Sequence, residues 1–268
     1  MIKKKIKNNL FLGFLYQAVY DLYYSAKRIS TERVKRKFYY KYFKKWIISR
    51  KTTLAYRYGV DTEGVIYPEK LGITSQNIKN AVQYQKCNEE LLVRLFNGDR
   101  MICENTVFVD LGSGKGLVLM LAAMKPFLKI IGIEFSEKLH FIAMQNLQKF
   151  FGLSHEVLCR NVISVYGDAA DFPIPDDPVV VFMCNPFGEE VMKMVVSNLV
   201  ARIQRSFHPV TVIYMVPRQK HVLAGCPLLE DISEDFFSTE MDRRMIEHIS
   251  VWKGRTGPLV HGTSLGMT

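Results

Sequence analysis

Four polar residues stand at or just beyond the ends of apolar, β-favouring runs: Asp110, Glu134, Asp168 and Asn185. Carboxylate and amide oxygens at such positions can accept hydrogen bonds from a cationic amine, from sugar hydroxyls or from an exocyclic amino group. Ligands of open parallel sheets lie beyond the carboxyl ends of the strands. These residues therefore predict one shared binding site at one edge of a sheet.

A turn with glycines at three alternate positions follows Asp110: Gly112, Gly114 and Gly116, with Ser113 between the first two. A dinucleotide fingerprint needs G-x-G-x-x-G, but a leucine stands where the third glycine would be. A P-loop needs Gly-Lys followed by Ser or Thr, but a glycine follows the lysine here. The turn therefore predicts a ligand that approaches the backbone closely. Asp110 suits a cationic amine better than a pyrophosphate.

The next two acids extend this site. Glu134 ends the second predicted strand, where a carboxylate can accept from both hydroxyls of a ribose. Its alternative role is as a neighbour of Ser136 at a helix N-terminus. Asp168 ends the third strand and could accept from an adenine amino group, with Asp171 as the alternative acceptor. Together with Asp110, these acids predict an adenosine that carries a charged amino acid.

Alternating strand and helix patterns must position these residues. The predicted elements are strands at Val107–Leu111, Lys129–Glu134, Val162–Tyr166, Val179–Cys184 and Val210–Val216, and helices at Leu117–Met124, Ser136–Phe151 (stopped by Gly152) and around Val191–Ile203. Continuous apolar strands indicate a sheet that is covered on both faces. We therefore expect an α/β fold with a doubly wound, mostly parallel sheet.

Positive charge is concentrated at the N-terminus. The 268-residue chain has a net charge of +10, which divides into +13 for residues 1–51 and −3 for residues 52–268. We therefore predict a basic aromatic helical arm (1–51), an entry or lid segment (52–100), an α/β domain (101–255) and a flexible tail (256–268).

Three interpretations of the arm stay open. Its basic and aromatic residues, densest over residues 35–46, suit a helix on an anionic membrane surface. The same composition also suits nucleic acid, which is the less favoured partner. The third interpretation is an amphipathic extension with solvated lysines. The arm also begins like an export signal, but no cleavage site follows and its apolar run is too short to span a bilayer.

Glu63 and Tyr84 are the candidate substrate-binding residues of the entry segment. Residues 56–64 combine hydroxyl, carboxylate and aromatic groups in a predicted loop, and Tyr84 precedes a helical pattern that ends at Asn97-Gly98. Such a segment ahead of a ligand-binding domain could form a lid or a substrate wall. The alternative is an ordinary surface loop with core tyrosines.

The five cysteines are scattered, without a C-x-x-C pair or a histidine at ligand spacing. This pattern argues against a zinc site or a disulfide framework and fits a reducing compartment, hence the cytoplasm. No metal is expected. None of the six histidines has a partner at catalytic spacing.

Four pieces in order resemble the class I S-adenosylmethionine-dependent methyltransferases: Asp110-Leu-Gly-Ser-Gly-Lys-Gly116, Ile133-Glu134, Gly167-Asp168-Ala169 and Cys184-Asn185-Pro186-Phe187. The resemblance covers residues 101 to about 217. It implies S-adenosyl-L-methionine as cofactor and a Rossmann-like sheet whose final strand, near Ile249–Trp252, is antiparallel and tucked in. Residues 234–240 and 245–253 are expected to form the closing strand pair.

The resemblance also implies residue roles. Asp110 and the turn residues Gly112, Ser113, Gly114 and Gly116 would face the methionine part, Glu134 the ribose, and Asp168 with Ala169 the adenine. In amino-methylating members, an [Asn/Asp]-Pro-Pro-aromatic motif holds the target nitrogen, which implies catalytic roles for Asn185 and Phe187. One proline is missing here. The alternative is a plain turn that Asn and Pro start and Gly188 closes.

With Arg57-Tyr-Gly-Val-Asp-Thr62 included, the chain is similar to a bacterial methyltransferase group that carries Asn-Pro-Phe and has no settled substrate. A shorter likeness, Val-Asp-Leu-Gly-Ser-Gly, is to the non-SET histone-lysine methyltransferases. The expected function is methyl transfer to an N or O nucleophile of an unidentified acceptor. The alternatives are a nucleic-acid methyltransferase that uses the arm and a non-catalytic S-adenosylmethionine-binding module. The expected location is cytoplasmic, on the inner membrane surface if the arm binds lipid.

Overall fold

The computed structural model describes residues 53–71, 82–238 and 243–255. Contacts divide the chain into two compact units, Met1–Gly59 and Val60–Thr268. The predictions for the arm (1–51) and the tail (256–268) lie outside the described residues. The described part of the first unit is helix α1, Leu54–Tyr58, which Gly59 closes in a left-handed conformation.

In the second unit the elements follow in chain order as β1 (Val65–Ile66), β2 (Tyr84–Gln85), α2 (Glu89–Asn97), β3 (Val107–Leu111), α3 (Leu117–Ala123), β4 (Lys129–Glu134), α4 (Glu137–Leu153), β5 (Val162–Tyr166), β6 (Val179–Cys184), α5 (Glu189–Arg205), β7 (Val210–Met215), α6 (Lys220–Ala224), β8 (Leu229–Asp231), α7 (Ser233–Phe236) and β9 (Ile249–Gly254). Short 3₁₀ turns lie at Pro68–Lys70 and Arg243–Met245.

The main sheet has seven strands in the order β5-β4-β3-β6-β7-β9-β8. Strands β3 to β7 are parallel, whereas β9 runs antiparallel to both of its neighbours, β7 and β8. The doubly wound, mostly parallel fold and its inserted antiparallel final strand are therefore confirmed. Strands β1 and β2 form a separate antiparallel pair.

The predicted closing strand pair, residues 234–240 with 245–253, was wrong in its bounds. Residues 233–236 form α7, because Asp231 accepts a hydrogen bond from Ser233 N at 3.0 Å and two acids favour the first helical turn. The second strand, β9, begins only at Ile249, and its partner on the outer side is the shorter β8. Gly152 does not stop α4, which continues to Leu153. A single glycine in a last helical turn costs little enough to be tolerated.

The core is centred on the middle strands. All residues of β3 and of α3 are buried, which explains why the α3 sequence is apolar on every face. The carboxyl end of β3, which carries Asp110, is therefore buried inside the fold. Among the described residues, no helix is both long enough and apolar enough to cross a membrane.

Candidate functional site

Asp110 is a carboxylate buried at the end of the central strand. Its side chain is only 2% exposed, and among the described residues Oδ2 has no hydrogen-bond partner. Burial, and then the nearby charge of Glu134, raise the pKa of Asp110 well above its ordinary range. A buried acid without a partner is costly unless a ligand supplies the missing group. A cationic donor would satisfy this oxygen and would favour the ionised form of Asp110.

The glycine turn, residues 112–116, wraps around the end of β3. The amides of Gly112 and Ser113 both donate to the carbonyl of Ile133, at 2.9 and 3.0 Å. Gly112 and Gly114 have φ of 82° and 55°, a conformation that L side chains rarely adopt. Ser113 Oγ is buried and, within the described part of the chain, has no partner. The turn thus presents backbone and one hydroxyl where a ligand could approach closely.

Glu134 braces this turn from the neighbouring strand. Its Oε2 accepts from Gly114 N at 2.8 Å, and its Oε1 accepts from Ser136 N at 2.9 Å. Burial raises the pKa of Glu134 to about 7, although the backbone amides oppose that rise. Ser136 itself caps α4, so the neighbour role and the turn-bracing role coexist. Each carboxylate oxygen keeps acceptor capacity for a hydroxyl; the ribose role stays a prediction.

Asn185 lies at the end of β6, next to the glycine turn. Its backbone is left-handed, with φ of 46°, which asparagine tolerates better than most residues. The side-chain Oδ1 is buried and is without a partner among the described residues. A hydrogen-bond donor from a ligand would satisfy this oxygen.

Two cysteines, Cys87 and Cys184, line the same cleft as Asp110 and Asn185. A hydrogen bond with Cys184, and then burial, raise the pKa of Cys87 well above its ordinary value. Both cysteines are free thiols that line the same cleft. At neutral pH the Cys87 thiol is therefore protonated and a poor nucleophile.

A single cleft brings most of the predicted site residues together. The predicted residues that line it are Tyr84, Asp110, Gly112, Ser113, Gly114, Glu134 and Asn185. Pro186, Phe135 and Leu139 add apolar surface. Three of the four polar residues at strand ends, Asp110, Glu134 and Asn185, thus line one cleft, whereas Asp168 does not.

Five predicted residues do not line this cleft: Glu63, Gly116, Asp168, Ala169 and Phe187. Gly116 supports it indirectly, because it begins α3 at φ 81° against Ala143. Asp168 accepts from Ala170 N at 2.9 Å, and Ala169 packs in the core. Phe187 is 7% exposed and belongs to the same core cluster. Since the ring is packed among core side chains, its placement does not support stacking on a substrate.

The entry segment covers the glycine turn. The Tyr84 hydroxyl donates to the carbonyl of Thr62 at 2.8 Å. A Cβ added to Gly114 would lie 2.6 Å from Cε2 of Tyr84, so the ring lies directly on the turn. Glu63 does not line the cleft, but it pairs at 2.6 Å with Lys86, which does. Tyr84 is therefore a wall of the cleft, whereas Glu63 anchors the segment.

Sequence reasoning missed three contributors, Asp61, Lys115 and Asn146. In the sequence, Lys115 is one member of the glycine turn and Asp61 is one member of the Arg57–Thr62 motif, and neither pattern assigns its side chain a role. Asn146 had one visible signal: it is an amide within the apolar stripe of α4, beside Ala143 and Leu147, and it is buried. A polar residue on a buried helix face indicates a partner across the interface.

No family profile and no curated protein sequence matches the chain. Among solved structures, the chain is similar to an RNA methyltransferase from Salinibacter ruber in complex with S-adenosyl-L-homocysteine, at 16% identity over 66% of this chain and 97% of that chain, with a TM-score of 0.42. It is also similar to a predicted N6-adenine-specific DNA methylase from Listeria monocytogenes, at 15% identity over 64% and 52% of the two chains, with a TM-score of 0.45.

A third similar structure is precorrin-6y C5,15-methyltransferase from Geobacter metallireducens, at 18% identity over 60% of this chain and 75% of that chain, with a TM-score of 0.39. These three structural neighbours are methyltransferases. Their TM-scores lie below 0.5, so they say nothing about the ligand or the reaction of this chain.

Proposed function

We propose that this chain is an S-adenosyl-L-methionine-dependent methyltransferase that acts on a nitrogen nucleophile. The observation that carries the proposal is the buried Asp110 carboxylate, whose Oδ2 faces a ligand cleft without a partner in the described structure. The α-ammonium group of the cofactor's methionine part would supply the missing cation. The glycine turn beside it lets the rest of the amino-acid portion approach the backbone.

The other residues of the cleft fit the same cofactor. Glu134 would accept from the ribose hydroxyls while it continues to hold Gly114 N. Ser113 Oγ offers a further buried hydroxyl. Asp168 and Ala169 do not line the cleft, so they would contact only an adenine that extends beyond it. When bound, the cofactor supplies a sulfonium methyl group that a nucleophile can attack.

The residues of the chain contribute positioning and electrostatics to this transfer. In-line displacement at a methyl group needs a correctly oriented nucleophile more than a strong base. Asn185 Oδ1 is a buried acceptor at the cleft and would take a hydrogen bond from an N–H of the acceptor group. This hydrogen bond would orient the nitrogen lone pair towards the methyl group. An oxygen nucleophile remains the alternative, because a hydroxyl can donate in the same way.

The fold supports the proposal independently of the side chains. The methyltransferase resemblance implies a sheet whose last strand is antiparallel and inserted before the edge, and β9 lies between β7 and β8 in this manner. The cleft also lies at the carboxyl ends of β3, β4 and β6, where ligands of such sheets bind.

Methyl transfer itself can be tested without a known acceptor. Desalted cell extract is incubated with methyl-labelled S-adenosylmethionine and the purified chain, and labelled macromolecules are then digested with protease, RNase or DNase. We expect label above background, together with S-adenosylhomocysteine. The enzyme that removes the label identifies the acceptor class. Binding of the cofactor without any label from several extracts would instead support a non-catalytic binding module.

Asn185→Gly tests the role of Asn185, because glycine tolerates the left-handed backbone and removes the whole side chain with its amide. Labelling should fall by about 100-fold, the loss of one hydrogen bond made at the reacting group. S-adenosylhomocysteine binding should change by less than about threefold, since Asn185 would serve the acceptor. Full labelling by this variant would remove Asn185 from the reaction.

A further inference from the structure

Three consecutive residues before β1, Asp61 to Glu63, are held at every position by side chains from elsewhere in the domain. We call them the entry tripeptide. Asn146 binds the backbone of Asp61, Tyr84 binds the carbonyl of Thr62, and Lys86 binds the carboxylate of Glu63. Such complete fixation is unusual for a loop, where backbone groups are usually left to water.

Lys115, within the glycine turn, is the charged centre of this arrangement. Its Nζ donates to Asp61 Oδ1 at 2.7 Å and to the carbonyl of Glu63 at 2.8 Å. The side chain is 6% exposed, and its ammonium lies 5.3 Å from the centre of the Tyr84 ring. A buried ammonium is costly unless it is paired. These contacts therefore strongly favour the position in which the tripeptide lies against Lys115.

Asn146, on α4, ties the tripeptide and the turn to one rigid helix. Its Oδ1 accepts from Asp61 N at 2.8 Å, and its Nδ2 donates to Asp61 O at 2.8 Å and to Lys115 O at 2.9 Å. The amide therefore uses its acceptor and both donor hydrogens. This fixes the distance between the tripeptide and the glycine turn.

The tripeptide in turn fixes Tyr84. The only link from the Tyr84 hydroxyl that the described structure contains is its hydrogen bond to Thr62 O. The ring then rests on Gly114, whose amide Glu134 holds from the other side. Displacement of the tripeptide would release the hydroxyl and let the ring leave the turn.

We propose that Lys115 and Asn146 are positioning residues for Tyr84: they fasten the entry tripeptide to the glycine turn, and the tripeptide holds the tyrosine as the wall of the cofactor cleft. This inference rests on the proposed function, since it assigns the wall to the S-adenosylmethionine site. Neither Lys115 Nζ nor Asn146 needs to touch the cofactor. Its affinity nevertheless depends on both, because they set the width of the cleft.

The test measures S-adenosylhomocysteine binding by calorimetry for wild type, Lys115→Met, Asp61→Asn and Tyr84→Phe. Methionine keeps most of the lysine stem and removes the charge, and the Asp61 side chain is 61% exposed, so its variant is mild for folding. Each variant should weaken binding by about 10-fold, the effect of one lost charge-assisted or fully formed hydrogen bond. Lys193→Met, which removes an exposed pair on α5, is the matched control and should bind as wild type does.

A double variant distinguishes the positioning role from a purely structural one. If Lys115 acts through Tyr84, Lys115→Met/Tyr84→Phe should bind S-adenosylhomocysteine no more than about twofold worse than the weaker-binding single variant, because both changes release the same ring. Two independent structural effects would instead add. Hydrogen exchange should accelerate in residues 60–66 and 82–87 while the helices keep their protection. In the labelling assay, KM for S-adenosylmethionine should rise about 10-fold with the saturated rate within about twofold of wild type.

Different results would overturn the proposed function and the positioning role. If wild type does not bind S-adenosylhomocysteine, the proposed function is wrong and this inference falls with it. If wild type binds but Lys115→Met, Asp61→Asn and Tyr84→Phe bind equally well, only the positioning role is overturned. Additive losses in the double variant would likewise contradict it.

Discussion

Gly112 and Pro186 are in direct backbone-to-ring contact, and this contact joins the glycine turn to the Asn-Pro-Phe turn. A Cβ added to Gly112 would lie 2.3 Å from Cβ of Pro186. No such separation is possible between real side chains, so only glycine permits the two turns to touch. The absence of a side chain at Gly112 therefore lets the two turns lie against each other, beside the cleft that Asp110 and Asn185 both line.

Gly112→Ala should damage both stability and ligand binding. The new methyl group clashes with Pro186, and φ of 82° is strained for alanine. The left-handed conformation alone costs about 1–2 kcal/mol, and the clash adds to it. We expect a lower midpoint of urea unfolding and at least about a 10-fold loss of S-adenosylhomocysteine affinity, in line with the disturbed turn.

Gly152→Ala is the control for that change. Gly152 lies in α4 with open space around its Cα, so alanine meets no atoms there. Removing a helical glycine should raise the free energy of unfolding by about 0.5–1 kcal/mol. Equal losses from both variants would show that glycine substitution is harmful for reasons unrelated to the Pro186 contact.

Glu134 should make the ligand-free protein less stable as the pH rises. Its pKa is about 7 in the folded chain against an ordinary 4.5. Between these values the folded state binds more protons than the unfolded state, so the free energy of unfolding falls with rising pH. The full contribution is about 3 kcal/mol, and the raised pKa of Asp110 acts in the same direction.

Denaturant titrations of wild type and Glu134→Gln at pH 4.5 and pH 8 measure this contribution. The difference between the two proteins should shift in favour of the glutamine variant by about 3 kcal/mol from the lower to the higher pH. Glutamine is neutral at both. A difference that does not change with pH would mean that Glu134 is ionised throughout and that its burial is offset by its hydrogen bonds.

Phe187 should act as a core residue and not as a catalytic one. Its ring packs in the main cluster and does not line the cleft. Phe187→Ala should lower the free energy of unfolding by about 3–5 kcal/mol, and Phe187→Leu by less than about 1.5 kcal/mol. The leucine variant should keep its labelling activity. Loss of labelling in a leucine variant with nearly normal stability would restore the stacking role.

The sheet could be predicted from the sequence because its signals are local. Continuous apolar runs such as Val179–Cys184 predict buried parallel strands. The carboxyl ends of parallel strands then lie at the same edge of the sheet. The contacts of the entry tripeptide could not be predicted in this way. Asp61 and Asn146 are 85 positions apart, and their meeting depends on where the sheet places α4. Phe187 shows a further limit, since the same turn can aim its ring inwards or outwards.

Calorimetric titration of wild type and Asp110→Asn with S-adenosylhomocysteine tests whether the Asp110 carboxylate binds the cofactor. Asparagine keeps the shape of the side chain and removes the charge, so the loss of a charge-assisted bond should weaken binding by about 1.5–3 kcal/mol. Because asparagine removes a carboxyl group whose ionisation burial and Glu134 disfavour, the ligand-free variant should be at least as stable as wild type. Binding by wild type with a markedly weaker but well-folded variant is the predicted result. No heat of binding to wild type at micromolar protein, or equal affinity in both proteins, would contradict the account.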